Sequence, residues 1–137
     1  MHDYGSIHKY NDDSKKTSAG SIYCLEVSLN RKKLYTGDGC GNLKEFDIQE
    51  RNLSKNYGKL FIGTISFIII TGTEEYMFVC SGDSHVKQIC LKSGVFVEDY
   101  GRVLEGQSVN IVSSCDGGKW FLCGDKGMVK HCSLKWS

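Results

Sequence analysis

The sequence contains no proline, no Cys-x-x-Cys pair, no excess of charge of one sign and no apolar run near the length of a membrane span. Each absence removes a class of protein. Apolar runs such as Phe67–Ile70 fall far short of the roughly 20 residues that cross a bilayer as a helix, and the N-terminus is polar rather than signal-like. The expectation is a soluble, intracellular, cytoplasmic protein. Seventeen Lys and Arg against sixteen Asp and Glu leave a net charge of +1, so no global field recommends nucleic acid or an anionic membrane, and neither is expected as a partner. The cysteines number seven, at 24, 40, 80, 90, 115, 123 and 132. An odd count without zinc-site spacing predicts reduced thiols, no metal and no cofactor. Cys80 and Cys123 occupy one site in successive repeats, where a buried thiol acts as a small hydrophobe. Asn52-Leu53-Ser54 has the letters of a glycosylation acceptor, which matter only in a secreted protein.

What is present is a repeat. Gly20, Gly63 and Gly106 stand 43 residues apart, as do Leu43, Val86 and Val129, each followed by a lysine, Lys44, Lys87 and Lys130. The same step keeps the same chemistry at Leu25, Ile68 and Ile111, and at Tyr35, Phe78 and Phe121. A period of about 40 to 45 with short apolar runs between glycine turns is the sequence form of a four-stranded propeller blade.

Within each repeat the alternation predicts three strands, a, b and c: Ile22–Ser28, Lys33–Gly37 and Leu43–Ile48; Ile65–Thr71, Tyr76–Ser81 and His85–Leu91; Ser108–Ser114, Lys119–Cys123 and Met128–Leu134. A fourth strand, d, is signalled by Asn56–Leu60 and Asp99–Val103, again 43 apart, and by the similar Asp3–Ile7. The fold class expected is all-β, a partial propeller of three four-stranded antiparallel blades. It forms one domain over 1–137, with repeats at about 20–62, 63–105 and 106–137 and with 3–7 as an extra outer strand. The polar stretch Lys9–Ala19 reads as a longer loop.

This grammar resembles the WD40 repeat family from Asp3 to Lys135. The resemblance lies in period and strand order. Where that family carries Gly-His the chain has Gly20-Ser21, Gly63-Thr64 and Gly106-Gln107, and where it carries Trp-Asp the chain has Phe46-Asp47, Ile89-Cys90 and Cys132-Ser133. The family's His–Asp–Ser/Thr–Trp network is therefore missing, and only Asp83 stands where its acid would. The blades are expected to rest on apolar packing instead.

Candidate chemistry is sparse. Gly37–Asn42 is glycine-rich like a phosphate cradle, but it lacks the P-loop lysine and hydroxyl and leads into a strand, so a hairpin turn explains it. Asp83-Ser84-His85 has the letters of a hydrolase triad, yet adjacent side chains diverge and the segment reads as a turn. His131-Cys132 fails as a nucleophile pair for the same reason. The lysine series reads as charged strand positions that oppose edge pairing. No enzyme is expected.

The resemblance implies a scaffold that presents rim loops to other proteins, with Asp38, Asn42, Thr64, Asp83, His85, Gln107, Asp125, Lys126 and Met128 as candidate contact residues. The alternative is a purely structural remnant or piece of a larger propeller. Three blades do not close a ring of four to eight, so a homodimer completing six blades is a further expectation, with Asp3–Ile7 pairing against Met128–Leu134 of another copy.

Overall fold

A computed structural model describes residues 20–71, 75–113 and 119–133. Eleven strands form three antiparallel sheets in chain order. Sheet 1 comprises β1 (Ile22–Val27), β2 (Lys33–Asp38), β3 (Asn42–Asp47) and β4 (Asn52–Lys59). Sheet 2 comprises β5 (Ile65–Ile70), β6 (Tyr76–Ser81), β7 (His85–Cys90) and β8 (Phe96–Arg102). Sheet 3 comprises β9 (Ser108–Ser113), β10 (Lys119–Gly124) and β11 (Val129–Ser133). Each strand pairs with its chain neighbour, a meander that needs only short turns.

The nine a, b and c strands fall within two residues of where alternation puts them. The d strands begin earlier than expected, at Asn52 and Phe96 instead of Asn56 and Asp99. What recurs in the sequence there is a bulge, not the strand start. The pairing of β3 with β4 shifts between Leu43 and Lys44, opposite Gly58 and Asn56, and that of β7 with β8 shifts between Val86 and Lys87, opposite Gly101 and Asp99. Asn56 Oδ1 accepts the Gly58 N–H at 2.8 Å and Asp99 Oδ1 accepts the Gly101 N–H at 2.8 Å. Both glycines lie at positive φ, +77° and +68°. Asn/Asp-Tyr-Gly thus encodes a local side-chain turn with a residue that tolerates the left-handed region.

Four strands appear in sheets 1 and 2, and three in sheet 3 among the described residues. The expected strand at Asp3–Ile7 lies outside them. The sheets stack through β1 and β2 against β5, and β5 against β9, giving an open, propeller-like arrangement. Among the described residues no helix is long and apolar enough to cross a membrane.

Two cores fill the gaps. Between sheets 1 and 2 lie Tyr35 and Leu43 with Ile65, Ile68, Met77, Val79 and Ile89. Between sheets 2 and 3 lie Phe78, Cys80 and Val86 with Ile111, Trp120 and Leu122. Alternation along β6 sends Met77 and Val79 one way and Phe78 and Cys80 the other, so all six of its residues are buried. Fully burying each large apolar side chain is worth about 1.5–3 kcal/mol. One polar pair joins this packing: the Tyr100 hydroxyl donates to Oε1 of the buried Gln88 at 2.7 Å. The Trp120 ring is held by Phe78, centroids 5.3 Å apart, and by Tyr100 edge-on at 5.2 Å.

Candidate functional site

The loops with the best claim to function are the turns joining the second strand to the third within each sheet and the connections leading into the next sheet. They are stitched together by hydrogen bonds. Gly82 N donates to Thr64 O, Ser108 N to Gly82 O and Asp125 N to Gln107 O, each at 3.0 Å. The Thr64 hydroxyl donates to Gly39 O at 3.4 Å. The result is one continuous rim.

The first two turns solve one problem with different residues, and the third bonds a neighbouring connection. In sheet 1 the Asp38 carboxylate, 2 % exposed, accepts the Cys40 N–H at 2.9 Å and the Asn42 N–H at 2.8 Å, with the Asn42 amide beside it at 3.3 Å. Gly41, at φ +85°, is compulsory: a Cβ there would lie 1.9 Å from Phe61 O. In sheet 2 the Ser81 hydroxyl oxygen replaces that carboxylate, accepting His85 N–H at 3.1 Å. The hydroxyl proton then goes to Asp83, whose Oδ1 also meets His85 Nδ1 at 3.0 Å. In sheet 3 the corresponding residue is Gly124, and Asp125 Oδ1 takes the Gln107 N–H at 3.1 Å.

This arrangement has no acyl-transfer chemistry. In a triad the imidazole stands between serine and acid; here Asp83 stands between Ser81 and His85. The Ser81 hydroxyl, followed by the His85 ring, holds the Asp83 carboxyl below the ordinary carboxylate range. Ser84 is buried, with its hydroxyl on Gly106 O at 3.3 Å. Cys24, Cys40, Cys80, Cys90 and Cys123 are free thiols. Burial pushes Cys24 and Cys80 up to about 11, the neutral form of an inert packing residue. Cys115 lies outside the described residues. Among those described, no group of three or more His, Cys, Asp or Glu could hold a metal ion.

Of the contact residues expected from sequence, Asp38 is interior and its carboxylate is occupied by the turn. Asn42 and Thr64 are half-buried and tied to Asp38 and Gly39. Asp83, Gln107, Asp125, Lys126 and Met128 are exposed and His85 is half-buried, all on the rim. Asp83 and His85 border a recess of about 210 Å³ with Leu60, Phe61, Ile62 and Asp99. Ile62, 94 % exposed, is the most prominent residue of this edge. Sequence reasoning passed over it. The available signal was an isoleucine in a connection whose counterpart one repeat later is Glu105.

The lysine series needs a correction. Lys87 sits on β7, which is paired on both sides, and so is not an edge charge. Its ammonium donates to Leu60 O and lies 5.0 Å from the Phe61 ring centroid, tying sheet 2 to the connection that leaves sheet 1. Only Lys130, on β11, occupies an outermost described strand.

The chain matches no protein-family model and no curated protein.

Proposed function

We propose that this chain is a structural segment of a WD40-like β-propeller, contributing three blades to a ring whose other blades lie outside the described residues. One observation carries the reading. Apolar positions that are equivalent by the 43-residue period are buried where a described neighbouring sheet covers them and exposed where none does. Leu25, on the outer face of sheet 1, is 60 % exposed, whereas Ile68 and Ile111 are 4 % and 5 % exposed. At the opposite end Val129 is 68 % exposed, whereas Leu43 and Val86 are fully buried. The sequence places core residues on faces that have no described sheet against them, and exposed apolar faces of this kind bind something.

The test is 8-anilinonaphthalene sulfonate fluorescence at dilutions where light scattering reports single chains. Enhancement is expected, and Leu25→Lys together with Val129→Lys should remove most of it. Single chains that produce no enhancement would refute the reading.

A second reading, a rim that contacts other proteins, is favoured by the exposure of Ile62 beside the Asp83–His85 recess. Loss of a purified partner's binding in Ile62→Lys, with binding retained in Leu25→Lys, would assign that contact to the rim.

A further inference from the structure

We infer that the occupant of both end faces is a second copy of this chain, docked so that the outer face of sheet 3 of each copy packs on the outer face of sheet 1 of the other. The inference rests on the open-segment reading above and adds the identity of the missing blades.

The chain already contains two examples of the interface. At each, the forward face of one sheet meets the backward face of the next. Sheet 1 offers Tyr35 and Leu43 to Ile68 and Met77 of sheet 2. Sheet 2 offers Phe78 and Val86 to Ile111 and Trp120 of sheet 3. Stepping forward once more by 43, sheet 3 offers Phe121 and Val129, with Cys123 where Cys80 stands. These line an open recess of about 170 Å³ together with Val112, which is also exposed. Stepping back, sheet 1 presents Leu25 and Leu34 where Ile68 and Met77, or Ile111 and Trp120, lie in the two filled cores. Ile22 and Val27 extend the exposed part of that face along β1. The two open ends are therefore a third pair of the kind that packs twice within the chain.

The stoichiometry follows from counting. Propellers close with about four to eight blades, and two copies of the three described sheets give six. Two copies give a closed ring with two equivalent interfaces, so no face remains for open-ended growth. Leu25 and Val129 face each other across each interface, because their counterparts share a core in both existing examples: Ile68 with Leu43, and Ile111 with Val86.

Complementary charges test the pairing. Native mass spectrometry of the 137-residue chain should give twice the mass of one chain. Leu25→Glu and Val129→Lys, both at exposed positions that leave each copy folded by circular dichroism, should each give single chains. An equimolar mixture should restore the double mass as a one-to-one heterodimer, since it has one unaltered interface and one Glu–Lys interface. Wild-type single chains at all concentrations, assemblies larger than two, or folded variants that fail to pair when mixed would overturn the proposal. Wild-type single chains that enhance the dye fluorescence would overturn only the second copy. Single chains without enhancement would overturn the open-segment reading as well.

Discussion

Trp120 offers the sharpest test of the packing, because its ring and its N–H pull in opposite directions. It is fully buried between sheets 2 and 3, yet its Nε1 has no hydrogen-bond partner among the described residues. Truncation in Trp120→Ala removes the ring that Phe78 and Tyr100 grip and should cost about 3–5 kcal/mol. That is about a fifth or more of a total stability of about 5–15 kcal/mol. Trp120→Phe keeps a ring between the same neighbours, worth about 0.5–1.5 kcal/mol for each aromatic pair. It also removes a buried donor whose desolvation costs about 1–3 kcal/mol when unpaired. The relief offsets most of the lost volume, so Trp120→Phe should lie within about 1 kcal/mol of wild type. Urea unfolding followed by far-UV circular dichroism measures both, since substitution removes one of the two tryptophans and changes the fluorescence signal. Chain concentration must be held constant because association shifts apparent stability. If phenylalanine proves as costly as alanine, the indole N–H has a partner and the argument fails. An alanine cost under about 1 kcal/mol would mean that sheets 2 and 3 do not close around this side chain.

Glycine at two positive-φ positions separates backbone strain from collision. Gly41→Ala should lower stability by more than about 2 kcal/mol in thermal melts, whereas Gly58→Ala, with nothing within 4 Å of a new Cβ, should cost only about 1 kcal/mol. The depressed Asp83 carboxyl contributes stability above the unfolded value of about 4 that is lost as pH falls through its native value. Asp83→Asn should therefore lower the melting temperature at pH 7 and narrow its difference from wild type toward pH 2. Cys80 runs the other way: its native value near 11 makes its contribution complete below the unfolded thiol range of about 8.5–9 and lost as pH rises to 11. Cys80→Ala should flatten that alkaline decline. In thiol labelling, the exposed Cys40 should react at once and Cys80 only on unfolding.

The strands were legible because each must alternate between two faces, and a 43-residue period shows that alternation three times over. Tyr35, Phe78 and Phe121 all face forward, and no single repeat had to be read alone. The rim was less legible. Asp38 and the Ser81–Asp83 pair supply acceptors within their turns and Asp125 supplies one to the connection before β9, from different register positions, so comparing equivalent letters hides these roles. Lys87 misled for a related reason: its place on a strand shows in sequence, while its reach to the Leu60 carbonyl depends on the distance between sheets. The start of β4 and β8 escaped because Asn52–Lys55 and Phe96–Glu98 share no letters, whereas the bulge that follows them, which needs glycine, repeats closely.

The complete burial of β6 makes that strand a shared error point. Since Met77 and Val79 belong to one core and Phe78 and Cys80 to the other, inserting or deleting one residue between Tyr76 and Ser81 would exchange the contents of both cores at once. A similar slip in β1 or β11 would spoil a single packed face. Tolerance to insertion is therefore distributed unevenly along a chain whose repeats look interchangeable, and it is smallest in the middle one.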